Sequence, residues 1–203
     1  MKFPILASLI VFILVLSRAI RRNRQTEEEI EQQFWEREKK ANSVRKKSLD
    51  HLDYIQIPIE NLPLSVPLED AEALDCVRLL RELSDQKIVN LTGYSNTDLK
   101  LEYGTANITP LSEYDQNYTL LVRTLQRYAD ILLQNSYDDE ARQILEFALG
   151  THTDISRTYY QLAELYVKSG KPEKISELIH VAEALNSSNR NTILRKLRTY
   201  VPE

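Results

Sequence analysis

A chain of 203 residues, 42% hydrophobic and 28% charged, has room for one domain and an appendage, and its 4 Gly and 7 Pro exclude long low-complexity stretches. The net charge of −4 is unevenly spread: residues 1–50 carry eleven Lys/Arg against seven Asp/Glu, a balance of +4, leaving fifteen against twenty-three, −8, for the rest. An acidic body excludes nucleic acid as the expected partner, because phosphate binding draws on cations, whereas the basic part suits anionic lipid. Cys76 is alone, so no intrachain disulfide forms, which fits a reducing compartment.

Phe3 to Leu16 has no charge and only Pro4 and Ser8 as interruptions. Extended through Ser17, Arg18, Ala19 and Ile20, it makes a helix of about 27 Å, close to a hydrocarbon core of ~30 Å. Residues 3–20 are therefore predicted to form a transmembrane helix in the lipid bilayer. The rival reading is a cleaved signal peptide, which wants a small-x-small site; here bulky Leu16 is followed by Ser17-Arg18-Ala19-Ile20-Arg21-Arg22. The membrane-flanking Arg18, Arg21, Arg22 and Arg24 outweigh the lone Lys2 before the span. Basic flanks stay on the cytoplasmic side, so the N-terminus is expected outside the cell membrane and the C-terminal domain in the cytoplasm. Four Asn-x-Ser/Thr triplets, at Asn90, Asn107, Asn117 and Asn186, match the glycosylation pattern and read as chance in a cytoplasmic body.

Residues 21–48 form a charged helical connector, acidic at Glu27–Glu31 and then basic, with Ile30, Phe34, Ala41 and Val44 in a narrow apolar stripe. It is either a solvated stalk able to pair with a second copy, or a helix laid on anionic lipid with Trp35 at the headgroups. Residues 49–69 hold Pro58, Pro63 and Pro67, which exclude a helix, and enough apolar side chains to predict an extended strap packed over the following domain. In 70–111 a helix over Asp70–Val89 is expected to bury Ala71, Leu74, Val77, Leu80 (or Leu79), Leu83 and Ile88. Turns at Gly93 and Gly104 flank a short helix from Ser95 to Tyr103, and Ser112-x-x-Asp115 reads as a capping box opening the next helix.

Residues 112–203 hold a repeat. At an offset of 34 residues Leu125 meets Tyr159, Tyr128 meets Leu162, Ala129 meets Ala163 and Leu132 meets Tyr166. The turn residue Ser136 meets Gly170, Leu145 meets Ile179, and Ala148 meets Ala182. A further step brings Ile193, Leu197 and Tyr200 into register. On these residues the stretch of about 112–201 resembles tetratricopeptide repeats, helix–turn–helix units of this length: two repeats and a capping helix. It departs from that pattern at Ser136, at Ile175, where Ala is usual, and at Thr153 and Ser187, where proline is usual. The region from Ala41 to Pro58 is also similar to single-pass membrane proteins of clostridial bacteria, a resemblance that implies no activity. The expected fold class is mainly α: a transmembrane helix, a helical stalk and a tetratricopeptide-like domain.

The resemblance implies that the first helix of each pair lines a concave, peptide-binding face. The positions here are Arg123, Gln126, Asp130, Arg157, Tyr160, Glu164, Lys168, Asn191 and Arg198. Arg123 and Arg157 either form a ladder for a peptide carboxylate, or are merely solvated or pair with Asp130 and Glu164. The family's clamp for chaperone C-termini needs Lys and Asn where Gln126, Asp130 and Glu164 stand, so chaperone docking is not expected. His51, His152 and His180 lack ligand spacing, and no phosphate loop or nucleophile motif is present, so no metal, cofactor or catalytic residue is assigned. The expected function is a membrane-anchored protein-interaction module, a scaffold or adaptor for a protein partner. The alternative is a self-associating or envelope-associated structural protein, a homodimer through the connector.

Overall fold

A computed structural model describes the backbone of residues 3–201, with side chains described throughout from residue 27 and, before it, for Phe12, Ile13, Leu16, Ser17 and Arg18. It is mainly helical: α1 (Phe3–Asn42), α2 (Ala71–Ser84), α3 (Asn96–Tyr103), α4 (Ile108–Gln134), α5 (Asp138–Gly150), α6 (Ser156–Lys168), α7 (Ile175–Glu183) and α8 (Arg190–Leu197). Among the described residues no helix is long and apolar enough to cross a membrane. Most side chains of the span expected at 3–20, and those of Arg21, Arg22 and Arg24, lie outside the described residues; Arg18 is exposed.

The chain divides into two compact units, residues 1–47 with 95–108, and residues 48–94 with 109–203. The segment grouped from sequence as 70–111 is thus split. In the first unit α3 joins the C-terminal part of α1. Glu38 accepts from the Thr97 hydroxyl and from Lys100 Nζ (2.9 Å), Arg37 pairs with Asp98, and Ala41 is fully buried. Ser95 and Asp98 form a reciprocal capping box that starts α3. Asn107, fully buried, donates to the carbonyls of Lys47 (2.8 Å) and Tyr103 (2.7 Å), tying the end of the connector to the turn after α3.

In the second unit the proline-containing segment runs extended. Tyr54 bridges antiparallel to Val89, Ile55 N–H donates to Ile88 (2.9 Å), and Ile57 and Leu64 enter the core. Tyr128 Oη donates to the Pro63 carbonyl at 2.9 Å. Helix α2 starts on Asp70, whose carboxylate accepts from the N–H groups of Glu72 (2.7 Å) and Ala73 (3.1 Å).

Three expectations need correction here. The buried stripe of α2 is Ala73, Cys76, Leu80 and Leu83, whereas Leu74 is 63% exposed. Two apolar rows at helical spacing share Leu80, and the one carrying Cys76 packs inward. The helix also ends at Ser84, leaving Ile88 and Val89 to pair as extended chain with the strap. Further on, α4 opens at Ile108 rather than at Ser112. The turn Thr105–Asn107 feeds into it directly, and Pro110 falls in its first turn, where a missing N–H costs nothing.

From α4 onward the same local structure recurs at 34 residues. Ser136 (φ 64°) and Gly170 (φ 69°) both end a helix in the left-handed region. Ser136 and Gly170 donate to Leu133 and Val167 (3.1 Å each), and Tyr137 and Lys171 to Leu132 (2.9 Å) and Tyr166 (2.8 Å). These are the paired bonds of a Schellman cap, made twice. Beyond the second helices, Ile155 and Asn189 N–H groups donate to Thr153 and Ser187 Oγ at 3.2 Å, so hydroxyl turns stand where the resemblance leads one to expect proline. Ala129, Ala163, Ala148 and Ala182 are all buried, as are Leu132 and Tyr166. Pro172 opens a short 3-10 turn before α7, shortening that helix relative to α5.

Candidate functional site: the outer face of α4, α6 and α8

The face expected to bind peptide is built on α4, α6 and α8, and much of its polar chemistry is turned inward. Gln126 is the clearest correction: it is 8% exposed and holds two helices together. Its Oε1 accepts from the Thr158 hydroxyl (2.7 Å), and its Nε2 donates to Gln161 (2.6 Å) and Asp130 (3.0 Å). Asp130 also accepts from Gln161 (2.7 Å) and pairs with Arg157 Nε at 3.1 Å. The side chains thus satisfy one another across α4 and α6, and buried polar groups so paired specify one packing register.

The remaining positions are mostly engaged. Arg157 and Asp130 form the pair that competes with a carboxylate ladder. Tyr160 Oη donates to the Thr192 carbonyl (3.4 Å) and Glu164 accepts from Tyr200 Oη (3.0 Å), linking α6 to the C-terminal helix and turn. Lys168 pairs with Asp138 at the start of α5. Asn191 and Arg198 are exposed. Arg123 is exposed and has no ion-pair partner among the described residues. The predicted groove is therefore closed over Gln126 and open around Arg123.

Arg123 lies on the wall of a cleft of about 400 Å³. Asp115, Thr119, Val122 and Arg123 face it from α4, at the i, i+4, i+7, i+8 spacing of one helix face. Asp154 and Ile155 enter from the start of α6, and Leu91 to Tyr94 close one side. This loop turns at Gly93 (φ 91°), where a Cβ would stand 2.7 Å from the Asn186 carbonyl oxygen, so only glycine permits the approach. Asp154 is held by the Ser187 hydroxyl and Asn189. Asp115 accepts the Leu91 backbone N–H, and burial pushes its carboxyl above the usual range. Beneath it, burial raises the Tyr118 phenol to about 12, with its hydroxyl donating to Thr151 (3.3 Å).

Sequence reasoning named Arg123 but missed Asp115 and Asp154. The α4 spacing was readable; the 91–94 loop and the start of α6 that complete the cleft come from distant chain segments. Three of the Asn-x-Ser/Thr amides are also committed. Asn90 Nδ2 donates to Tyr118 Oη (2.9 Å) and Thr151 (3.0 Å) and Asn107 is buried, so a glycan on either would displace these contacts, while Asn117 donates to Lys87 (3.1 Å) at the surface. No family model matches the chain, and no curated protein and no solved structure matches it significantly.

Proposed function

We propose that the chain is a membrane-anchored protein-interaction module, a scaffold or adaptor without catalytic activity, working at the cytoplasmic face. The observation that carries this reading is the recurrence at 34 residues of one helix–turn–helix with the same double-bonded cap at Ser136 and Gly170. In tetratricopeptide repeats, which this region resembles, such stacking leaves the first helix of each pair to meet a protein partner. The anchor rests on the uncharged run Phe3–Leu16 and the arginines behind it, and α1 continues that run as one helix to Asn42, about 60 Å in all.

Two measurements test this. A reporter fused after Glu203, active only in the cytoplasm, should be active; inactivity reverses the topology. Cross-linking of the full chain in its membrane should capture a partner that Arg123→Glu and Arg198→Glu release. Arg157→Glu is unsuited, since it also breaks the Asp130 pair. Capture unaffected by both substitutions rejects the face.

A second reading, self-association through the connector, is favoured by one observation: Ile30, Phe34 and Trp35 are exposed on α1 within about one and a half turns. Sedimentation of the detergent-solubilised full chain should then show a dimer that Phe34→Glu dissociates. A monomer in both cases removes it.

A further inference from the structure

The cleft beside Arg123 carries charges of both signs that do not satisfy each other. Asp115 and Arg123 are eight residues apart on α4, about 12 Å along the axis, beyond the three- or four-residue spacing at which helix side chains pair. Neither has an ion-pair partner among the described residues. Between them the wall offers Thr119 and Val122, and opposite stand Thr92 and Ile155, a mixed surface of hydroxyls and aliphatic groups. The volume of about 400 Å³ falls within the ~300–1,000 Å³ of small-molecule sites.

We propose that this cleft binds a short zwitterionic peptide of about three residues, its ammonium at Asp115 and its carboxylate at Arg123. The length is matched to the backbone spacing: an extended peptide advances ~3.3–3.6 Å per residue, so about three residues cover the rise of about 12 Å between positions 115 and 123 of the helix. A free anion satisfies Arg123 and leaves Asp115 unpaired. Asp154 adds a second carboxylate to the cleft, held by Ser187 and Asn189, which disfavours a polyanion. The Gly93 turn sets how closely the loop approaches the Asn186 turn, and so shapes the mouth.

The cleft shares Arg123 with the proposed partner-binding face, but Asp115 belongs to the cleft alone, and the site takes a small ligand and needs no second protein. The test is titration calorimetry of the detergent-solubilised full chain with trialanine, N-acetyl-trialanine and trialanine amide. Trialanine should bind, and each cap should weaken it by about tenfold, the size of one lost charge-assisted contact. Asp115→Asn should weaken trialanine by the same factor and make N-acetylation cost nothing further, while Arg123→Gln should do so for the amide. Absence of trialanine binding at millimolar peptide overturns the proposal, as does equal binding of all three peptides. Cap and substitution effects that add independently overturn the stated orientation. The capped peptides act on the unaltered protein, so a misfolded variant does not rescue or sink the result. Loss of peptide binding with cross-linking to a partner intact would strike this proposal alone.

Discussion

Ser136 and Gly170 hold the same left-handed turn with different side chains, and only glycine does so without strain. Ser136→Gly should therefore raise stability by roughly 1 kcal/mol and Gly170→Ala lower it by a similar amount. Space does not decide the second change, since nothing stands within 4 Å of a Cβ at Gly170. Urea unfolding of the two variants checks both signs. Asp115 makes an opposite kind of statement, about charge. Its folded-state carboxyl is raised by burial, so the folded protein holds its proton more tightly than the unfolded chain. Stability contributed by this group falls as pH climbs from the ordinary carboxylate range through the raised value. Asp115→Asn should accordingly be more stable than the parent near neutral pH, with the gain vanishing below the ordinary carboxylate range. Thermal melts at pH 7 and pH 3.5 would show it. A gain that persists unchanged in acid would place its origin elsewhere.

At the scale of elements, α4 and α6 are joined by a polar network as well as by the core. Asp130 accepts from Gln126, Gln161 and Arg157, so Asp130→Ala removes three contacts, of which Gln126 keeps its bond to Gln161 and the exposed Arg157 turns to water, leaving the Gln161 amide without an acceptor. The cost should be about 2 kcal/mol, more than an exposed ion pair would give. A shift of that size in the denaturation midpoint is the check; a change below a few tenths would make the network decorative. Helix α3 is held on α1 by Glu38, whose carboxyl lies below its usual range because Thr97 and Lys100 donate to it. That contribution is present above the ordinary Glu value and is lost as pH falls through the lowered one. Glu38→Gln should raise amide exchange across 96–103 and leave 159–166 unchanged. Much of this level was readable in advance: the short helix near Ser95–Tyr103 comes from its flanking glycine turns, and the 34-residue recurrence from apolar spacing. The face of α2 was not, because Ala71–Leu74–Val77 and Ala73–Cys76–Leu83 are equally apolar rows, and only the strap and neighbouring helices choose between them. Gln126 failed for a related reason, since a polar residue in a first helix reads as solvent-facing until its partners on α6 are known.

For the whole molecule, sequence periodicity described helices and could not describe division. Residues 95–108 join the N-terminal unit through side-chain hydrogen bonds across some sixty positions of chain, such as Lys100 to the Glu38 carboxylate and the Asn107 amide to the Lys47 carbonyl. Composition carries no trace of such long-range pairing. The cleft was hidden in the same way, its walls supplied by α4, the 91–94 loop and the start of α6. The apolar run at the N-terminus is the reverse case: its meaning lies in hydropathy and flanking charge, and the topology reporter remains the measurement that decides it.

Trp35 is the chain's single tryptophan, 61% exposed on α1, while the tyrosines Tyr118, Tyr128, Tyr159 and Tyr166 are buried in the second unit. The molecule therefore carries two natural optical labels, tryptophan for the first unit and tyrosine mainly for the second, Tyr103 being the one tyrosine of the first. Tryptophan emission should sit near its aqueous maximum and move to shorter wavelength only when something covers the outer side of α1. Tyrosine absorbance in alkali should lag behind free phenol until the second unit opens. Lipid, a second copy or a partner can thus be located on the molecule by colour, without attaching a dye.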